Sequence, residues 1–140
     1  MNNVTVTEEL SVDAARAWEL VREFDSLALV SGVIEEVELT DVDGQFERTL
    51  RFGGVTVRQR LESRDDEARE LRIHTIDGGG VVRHLESRLT VTESGPGACI
   101  ITWEAVYEPI IDDAQMKPMI RDFYLTAIAK FRRHLGGRPE

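Results

Sequence analysis

The residues that invite a chemical reading are polar side chains whose alternation puts them on apolar strand faces. Arg48 falls in phase with Phe46, Leu50 and Phe52. Gln59 and Ser63 share a face with Val57 and Leu61, and Thr75 follows Leu71 and Ile73. Arg83 is in phase with Leu85, and Tyr107 with Trp103. A polar group turned into an apolar interior must find a partner, so each of these marks an internal network, a water or a ligand. An apolar cavity with a few such donors is what a small-molecule site requires. Carbonyl chemistry would need more: a donor that polarises the carbonyl and a base for an acidic C–H. Arg48 or Arg83 would suit the stabilisation of an enolate, and Tyr107 the donation of a proton. The sequence offers no clear base, and the catalytic residues stay unassigned.

Each candidate also has a plain structural reading. Arg48 and Arg83 lie near strand ends, where an arginine buries its stem and keeps its head in water. Tyr107 can anchor a core edge through its hydroxyl. Met116, Met119, Ile120, Phe123 and Tyr124 fit a helix core as well as a pocket wall. Gln59, in mid-strand, is harder to dismiss. Arg58, Arg60 and Arg64 with Glu62 read as a solvated strand face. His74 and His84 fall on polar strand faces, and His134 suits the negative end of a helix dipole. The histidines are not spaced as metal ligands, and HExxH, CxxC, GxSxG and P-loop motifs are missing. Neither a metal nor a cofactor is expected. Ser63, Ser87 and Cys99 have no evident base beside them. The ligand-binding candidates are therefore Arg48, Gln59, Thr75, Arg83, Trp103, Tyr107, Met116, Ile120, Phe123 and Tyr124.

These side chains need a scaffold, and the composition describes one. The chain has 140 residues, 41% of them hydrophobic and 31% charged. That suits a single domain spanning 1–140 with a real core and a well-solvated surface. The net charge of −9 repels phosphate backbones and argues against a nucleic-acid partner. No stretch approaches the roughly 20 apolar residues of a membrane span. The N-terminus lacks a basic region followed by an apolar run, so no signal peptide is read and a cytoplasmic location is expected. The single Cys99 agrees with this, as a buried, inert thiol.

Helical signals lie near the chain ends and strand signals fill the middle. Residues 3–10 alternate as a first strand. Ser11 reads as an N-cap, with Asp13 in the first turn of a helix from about 12 to 24. Ala14, Trp18, Val21 and Phe24 form its apolar face. Residues 25–32 read as a turn or second short helix. Strands follow over 33–42, 46–53, 55–64, 69–77, 82–93 and 98–108. Asp43-Gly44, Gly53-Gly54, Asp65-Asp66-Glu67, Gly78-Gly79-Gly80 and Ser94-Gly95-Pro96-Gly97 join them. Short connections make the neighbours antiparallel, with one wet and one dry face. A long final helix covers the dry face. Pro118 is welcome only in a first turn, so this helix is expected to start near Lys117 or Pro118 and end near Leu135, before Gly136-Gly137.

This order resembles the START-like (SRPBCC) superfamily, the helix-grip fold, and within it the polyketide cyclase/dehydrase and lipid-transport branch. Residues 12–24, with their tryptophan, resemble that branch's opening helix. Gly44-Gln45-Phe46-Glu47-Arg48 resembles its Gly-x-x-x-Arg strand entry. Thr102-Trp103-Glu104 with Glu108-Pro109 resembles the end of its last strand, and Leu135-Gly136-Gly137 its helix terminus. Where the branch often has Trp-x-Pro after the first helix, this chain reads Val30-Ser31-Gly32, a stretch that tends to line the pocket entrance in the branch. The resemblance implies an α+β fold: a seven-stranded curved antiparallel sheet wrapped around a long C-terminal helix, with two short helices after strand 1. It also implies a cavity between sheet and helix for a small hydrophobic or amphipathic molecule.

A fold alone does not settle function. Binding or carrying a small lipid- or polyketide-like molecule is the favoured expectation. A polyketide cyclase, aromatase or dehydratase is the alternative, and a protein-interaction module such as a chaperone activator the third reading. The sequence leaves the ligand and the oligomeric state, a homodimer included, open.

Overall fold

Along most of the chain, alternating sequence becomes alternating burial. The computed structural model describes residues 2–23, 36–52 and 54–136. Strand β1 (Asn2–Leu10) buries Val4, Val6 and Leu10 and leaves Thr5 and Thr7 exposed. Helix α1 (Ala14–Val21) follows, then β2 (Glu36–Val42), β3 (Gln45–Phe52), β4 (Val55–Asp65), β5 (Glu70–Asp77), β6 (Val82–Gly95) and β7 (Ala98–Pro109). The chain closes with the long helix α2 (Asp113–His134). All seven strands form one curved antiparallel sheet in the order β1-β7-β6-β5-β4-β3-β2. The expected sheet and long helix are present. The second short helix over 25–32, Phe24 and the start of the 33–42 strand lie outside the described residues.

Local chemistry explains the boundaries. The β2–β3 hairpin turns on Asp43 and Gly44, with φ of 52° and 84°. Two positive φ values in a two-residue loop define the type I′ geometry that Asp-Gly favours. At the β5–β6 turn, a Cβ on Gly78 would lie 2.1 Å from the Val82 carbonyl oxygen, so only glycine lets the chain close there.

The first helix starts later than Ser11 suggests. Asp13 is its N-cap: its backbone is extended, and its carboxylate accepts from the Arg16 amide at 2.9 Å. Trp18 Nε1 donates to Asp66 at 2.9 Å, and Arg22 Nε donates to the same oxygen at 2.8 Å. These bonds tie α1 to the β4–β5 turn.

The last helix starts earlier than Pro118 suggests. Asp112 caps it by accepting from the Ala114 amide at 3.1 Å. The Tyr107 hydroxyl donates to Asp113 at 2.5 Å, fixing the first turn to β7. Pro118 lacks the N–H that would reach the Ala114 carbonyl. The cap, the Tyr107 bond and the burial of Met116 hold the helix together through that gap. Arg132, Arg133 and His134 occupy the last turn, where positive charge complements the helix dipole.

The core lies between the sheet's inner face and α2, which packs on β1 and β7. Ile128 and Phe131 are almost wholly buried, in one core with Leu10, Cys99 and Ile101. Trp103 stacks on Tyr124 with centroids 4.2 Å apart and planes 9° apart. Phe123 meets both rings edge-on at 6.3 and 6.1 Å. Each such pair adds about 0.5–1.5 kcal/mol beyond its buried area. Burial raises the Cys99 thiol pKa and keeps the thiol protonated.

Candidate functional site

Where α2 crosses the middle of the sheet, the packing opens into a cavity. It offers about 70 Å³ to the centre of a water molecule. One water needs only about 10–15 Å³ by that measure, so the space suits several waters or a small organic ring. The walls are apolar: Leu50 from β3, Val57 from β4, Val81, Val82 and Leu85 around the start of β6, and Met116, Met119, Ile120 and Phe123 from α2. Gln59, Thr75 and Tyr124 complete the lining. Met119 stands at the mouth and is 38% exposed.

The polar floor follows from sheet register. Arg48 pairs with Gln59 across β3–β4, and Gln59 pairs with Thr75 across β4–β5. The three side chains therefore form one row on the inner face. Arg48 Nε donates to Gln59 Oε1 at 2.8 Å, and Gln59 Nε2 donates to Thr75 Oγ1 at 3.3 Å. Arg48 is 4% exposed, and loss of water lowers its pKa to about 10. It thus carries its charge at neutral pH. Tyr124 sits within reach of that charge and hydrogen-bonds Ser87, which is buried on β6. Burial is the dominant influence on the Tyr124 hydroxyl and raises its pKa.

The ten sequence candidates separate into three sets. Gln59, Thr75, Met116, Ile120, Phe123 and Tyr124 line the cavity. Arg48, Trp103 and Tyr107 are buried behind its walls. Arg48 supports Gln59, Trp103 supports Tyr124, and Tyr107 holds Asp113. Among the described residues, Trp103 Nε1 is buried with no hydrogen-bond partner.

Arg83 is the correction. Its side chain is 60% exposed and pairs with Glu108 at 3.0 Å on the outer surface. An irregularity between Val82 and His84 breaks the alternation, burying Val82 and turning Arg83 outward. A second irregularity, between Leu61 and Ser63, leaves Ser63 exposed and half-buries Arg64, which donates to the Arg22 carbonyl. His74 pairs with Glu86 and His84 is exposed, so neither enters the cavity.

Sequence reasoning also passed over lining residues. Leu50, Val57 and Leu85 were legible as inner-face positions but carried no polar mark. Val81 and Val82 lie at the bulge, where alternation gives no guide. Glu47 alternates with the inward-facing Arg48, yet it is 8% exposed, covered by Arg58 and Arg60 at 3.8 and 3.4 Å.

The architecture has known counterparts. A family model described as polyketide cyclase/dehydrase and lipid transport matches residues 1–136. The chain belongs to that family. Solved structures similar to this polyketide cyclase/dehydrase and lipid-transport domain include XoxI from Bacillus cereus. It is 21% identical, with a TM-score of 0.86 and coverage of 96% of both chains. An uncharacterised protein from Bacillus thuringiensis is 20% identical, with a TM-score of 0.84 over 96% of this chain and 98% of its own. A norcoclaurine synthase point mutant from Thalictrum flavum, bound to a transition-state analogue, is 18% identical, with a TM-score of 0.75 over 96% and 93%. At these identities the likeness establishes the Bet v1-like helix-grip fold. No curated protein matches the chain. Among the described residues, no helix is long and apolar enough to cross a membrane.

Proposed function

We propose that this domain binds a small hydrophobic or amphipathic molecule, lipid- or polyketide-like, in the cavity between the sheet and α2. The observation that carries this reading is the lining: an apolar wall interrupted by the Gln59–Thr75 pair. Two polar side chains set among apolar lining residues give a guest both a hydrophobic seat and a fixed orientation. Among the described residues, Tyr124 is the only titratable group in the lining, and burial keeps its phenol protonated. General acid–base turnover favours a group that titrates near the working pH, so binding is the better match.

The test is native mass spectrometry and thermal shift with 2-decanone and 2-naphthol as probes. The expected result is one probe per chain and a raised melting temperature. Val57→Phe, which fills the cavity, should abolish both. Absence of binding by either probe, or binding that Val57→Phe leaves intact, overturns the proposal.

A further inference from the structure

The cavity's polar floor has a definite hydrogen-bonding sign, and Arg48 sets it. An arginine side chain has N–H donors and no acceptor. The bond from Arg48 Nε at 2.8 Å therefore requires the oxygen of the Gln59 amide on that side. The amide nitrogen must then face Thr75 and the cavity. One of its two N–H groups goes to Thr75 Oγ1 at 3.3 Å, and the other remains for a guest. Thr75 is 3% exposed, and its oxygen is already engaged as an acceptor. Its own hydroxyl hydrogen is thereby left to donate. Both polar groups on the floor can offer a hydrogen; the amide nitrogen offers no lone pair and Thr75 keeps one of its two, so the floor is richer in donors than in acceptors.

We propose that this floor selects guests carrying a neutral hydrogen-bond acceptor, a carbonyl oxygen on a small apolar or aromatic body, over guests that carry only a donor. A neutral acceptor fits better than a carboxylate. Arg48 stands behind Gln59 and outside the lining, and apart from Tyr124 the remaining wall is apolar. A full negative charge would lose its water there without meeting the guanidinium directly. The specificity-setting residue is Gln59, and Arg48 is a positioning residue that fixes which end of the amide the guest meets. This inference rests on the cavity being a binding site.

The experiment uses three probes of similar shape on the full chain: acetophenone (acceptor), ethylbenzene (neither) and N-methylaniline (donor). Dissociation constants come from ¹H–¹⁵N chemical-shift titrations. Acetophenone should bind about five- to tenfold tighter than ethylbenzene, as expected for one net hydrogen bond. N-methylaniline should bind less tightly than acetophenone. In Gln59→Glu, the carboxylate pairs with Arg48 and presents an acceptor to the cavity, so N-methylaniline should overtake acetophenone. In Gln59→Leu, the ratio of acetophenone to ethylbenzene affinity should fall to about one. Equal wild-type affinities for acetophenone and ethylbenzene would overturn the inference while leaving the binding site standing. If none of the three binds, the site itself is refuted and the inference with it.

Discussion

Along β1 and β7 the inner face of the sheet presents Val6, Leu10, Cys99, Ile101 and Trp103, and α2 lies directly on them. Along β3, β4 and β5 the same face presents Arg48, Gln59 and Thr75 among its apolar residues, and there the helix leaves room. The two halves share one sheet and one helix yet divide their labour. The first fixes where α2 sits through close packing. The second uses that fixed position as a roof and keeps a polar row beneath it. Under the proposed binding function, docking and recognition fall to different strands, so the polar row could vary without unseating the helix.

The sharpest way to break this comparison is truncation on each side. Phe131→Ala removes a ring that is 1% exposed in the packed half, and should lower stability by about 3–5 kcal/mol in chemical denaturation. Met119→Ala, at the cavity mouth, should change it by no more than about 0.5 kcal/mol. Equal losses at the two sites would mean that the halves are not distinct. Next in size is the row itself. Gln59→Leu takes away one acceptor of a buried guanidinium and should lower stability by about 1–3 kcal/mol by the same measurement. A neutral effect would show that the row is dispensable.

Tyr107→Phe probes the join between the halves, where β7 holds the start of α2. A fall of about 3 °C in melting temperature is expected for the loss of one hydrogen bond. The Tyr107 hydroxyl, followed by Asn2, holds the Asp113 carboxyl below its ordinary pKa. A folded-state pKa below the unfolded one stabilises the fold above the usual carboxylate value, about 4, and this stability is lost as pH falls through the folded value. The variant should therefore show a flatter stability–pH curve below about pH 4. An unchanged acid limb would remove Tyr107 from that role. The smallest effect belongs to Asp66→Ala. Asp66 accepts from Trp18 and Arg22 but is itself exposed, so the melting temperature should move by no more than about 2 °C, less in high salt.

The fold was legible because strand alternation and turn chemistry act locally. Asp43-Gly44 marks a hairpin, and Val4, Val6 and Leu10 mark a buried face, whatever surrounds them. The site was legible only where alternation holds. Gln59 and Thr75 stayed in phase and reached the cavity. Arg83 did not, because the bulge at Val82–His84 reverses its direction and no residue type announces that bulge. Arg48 was rightly placed inside, but its task is to orient Gln59, a relation set by cross-strand register and invisible in a single strand. The helix start was misplaced for a different reason. Pro118 is a strong local signal, and the Asp112 cap, the Tyr107 tether and Met116 burial jointly outweigh it.

That proline has a kinetic side. Without an amide at position 118, the Ala114 carbonyl has no partner one turn ahead, so Asp113–Lys117 can peel from α2 by breaking fewer bonds than any stretch nearer Phe131. Backbone amides at Met116 and Lys117 should accordingly exchange with deuterium faster than those at Ile128 and Phe131. Met116 rides on this segment and walls the cavity. If the cavity holds a guest as proposed, its residence time would be set by the unzipping of one helical turn as well as by the strength of its contacts.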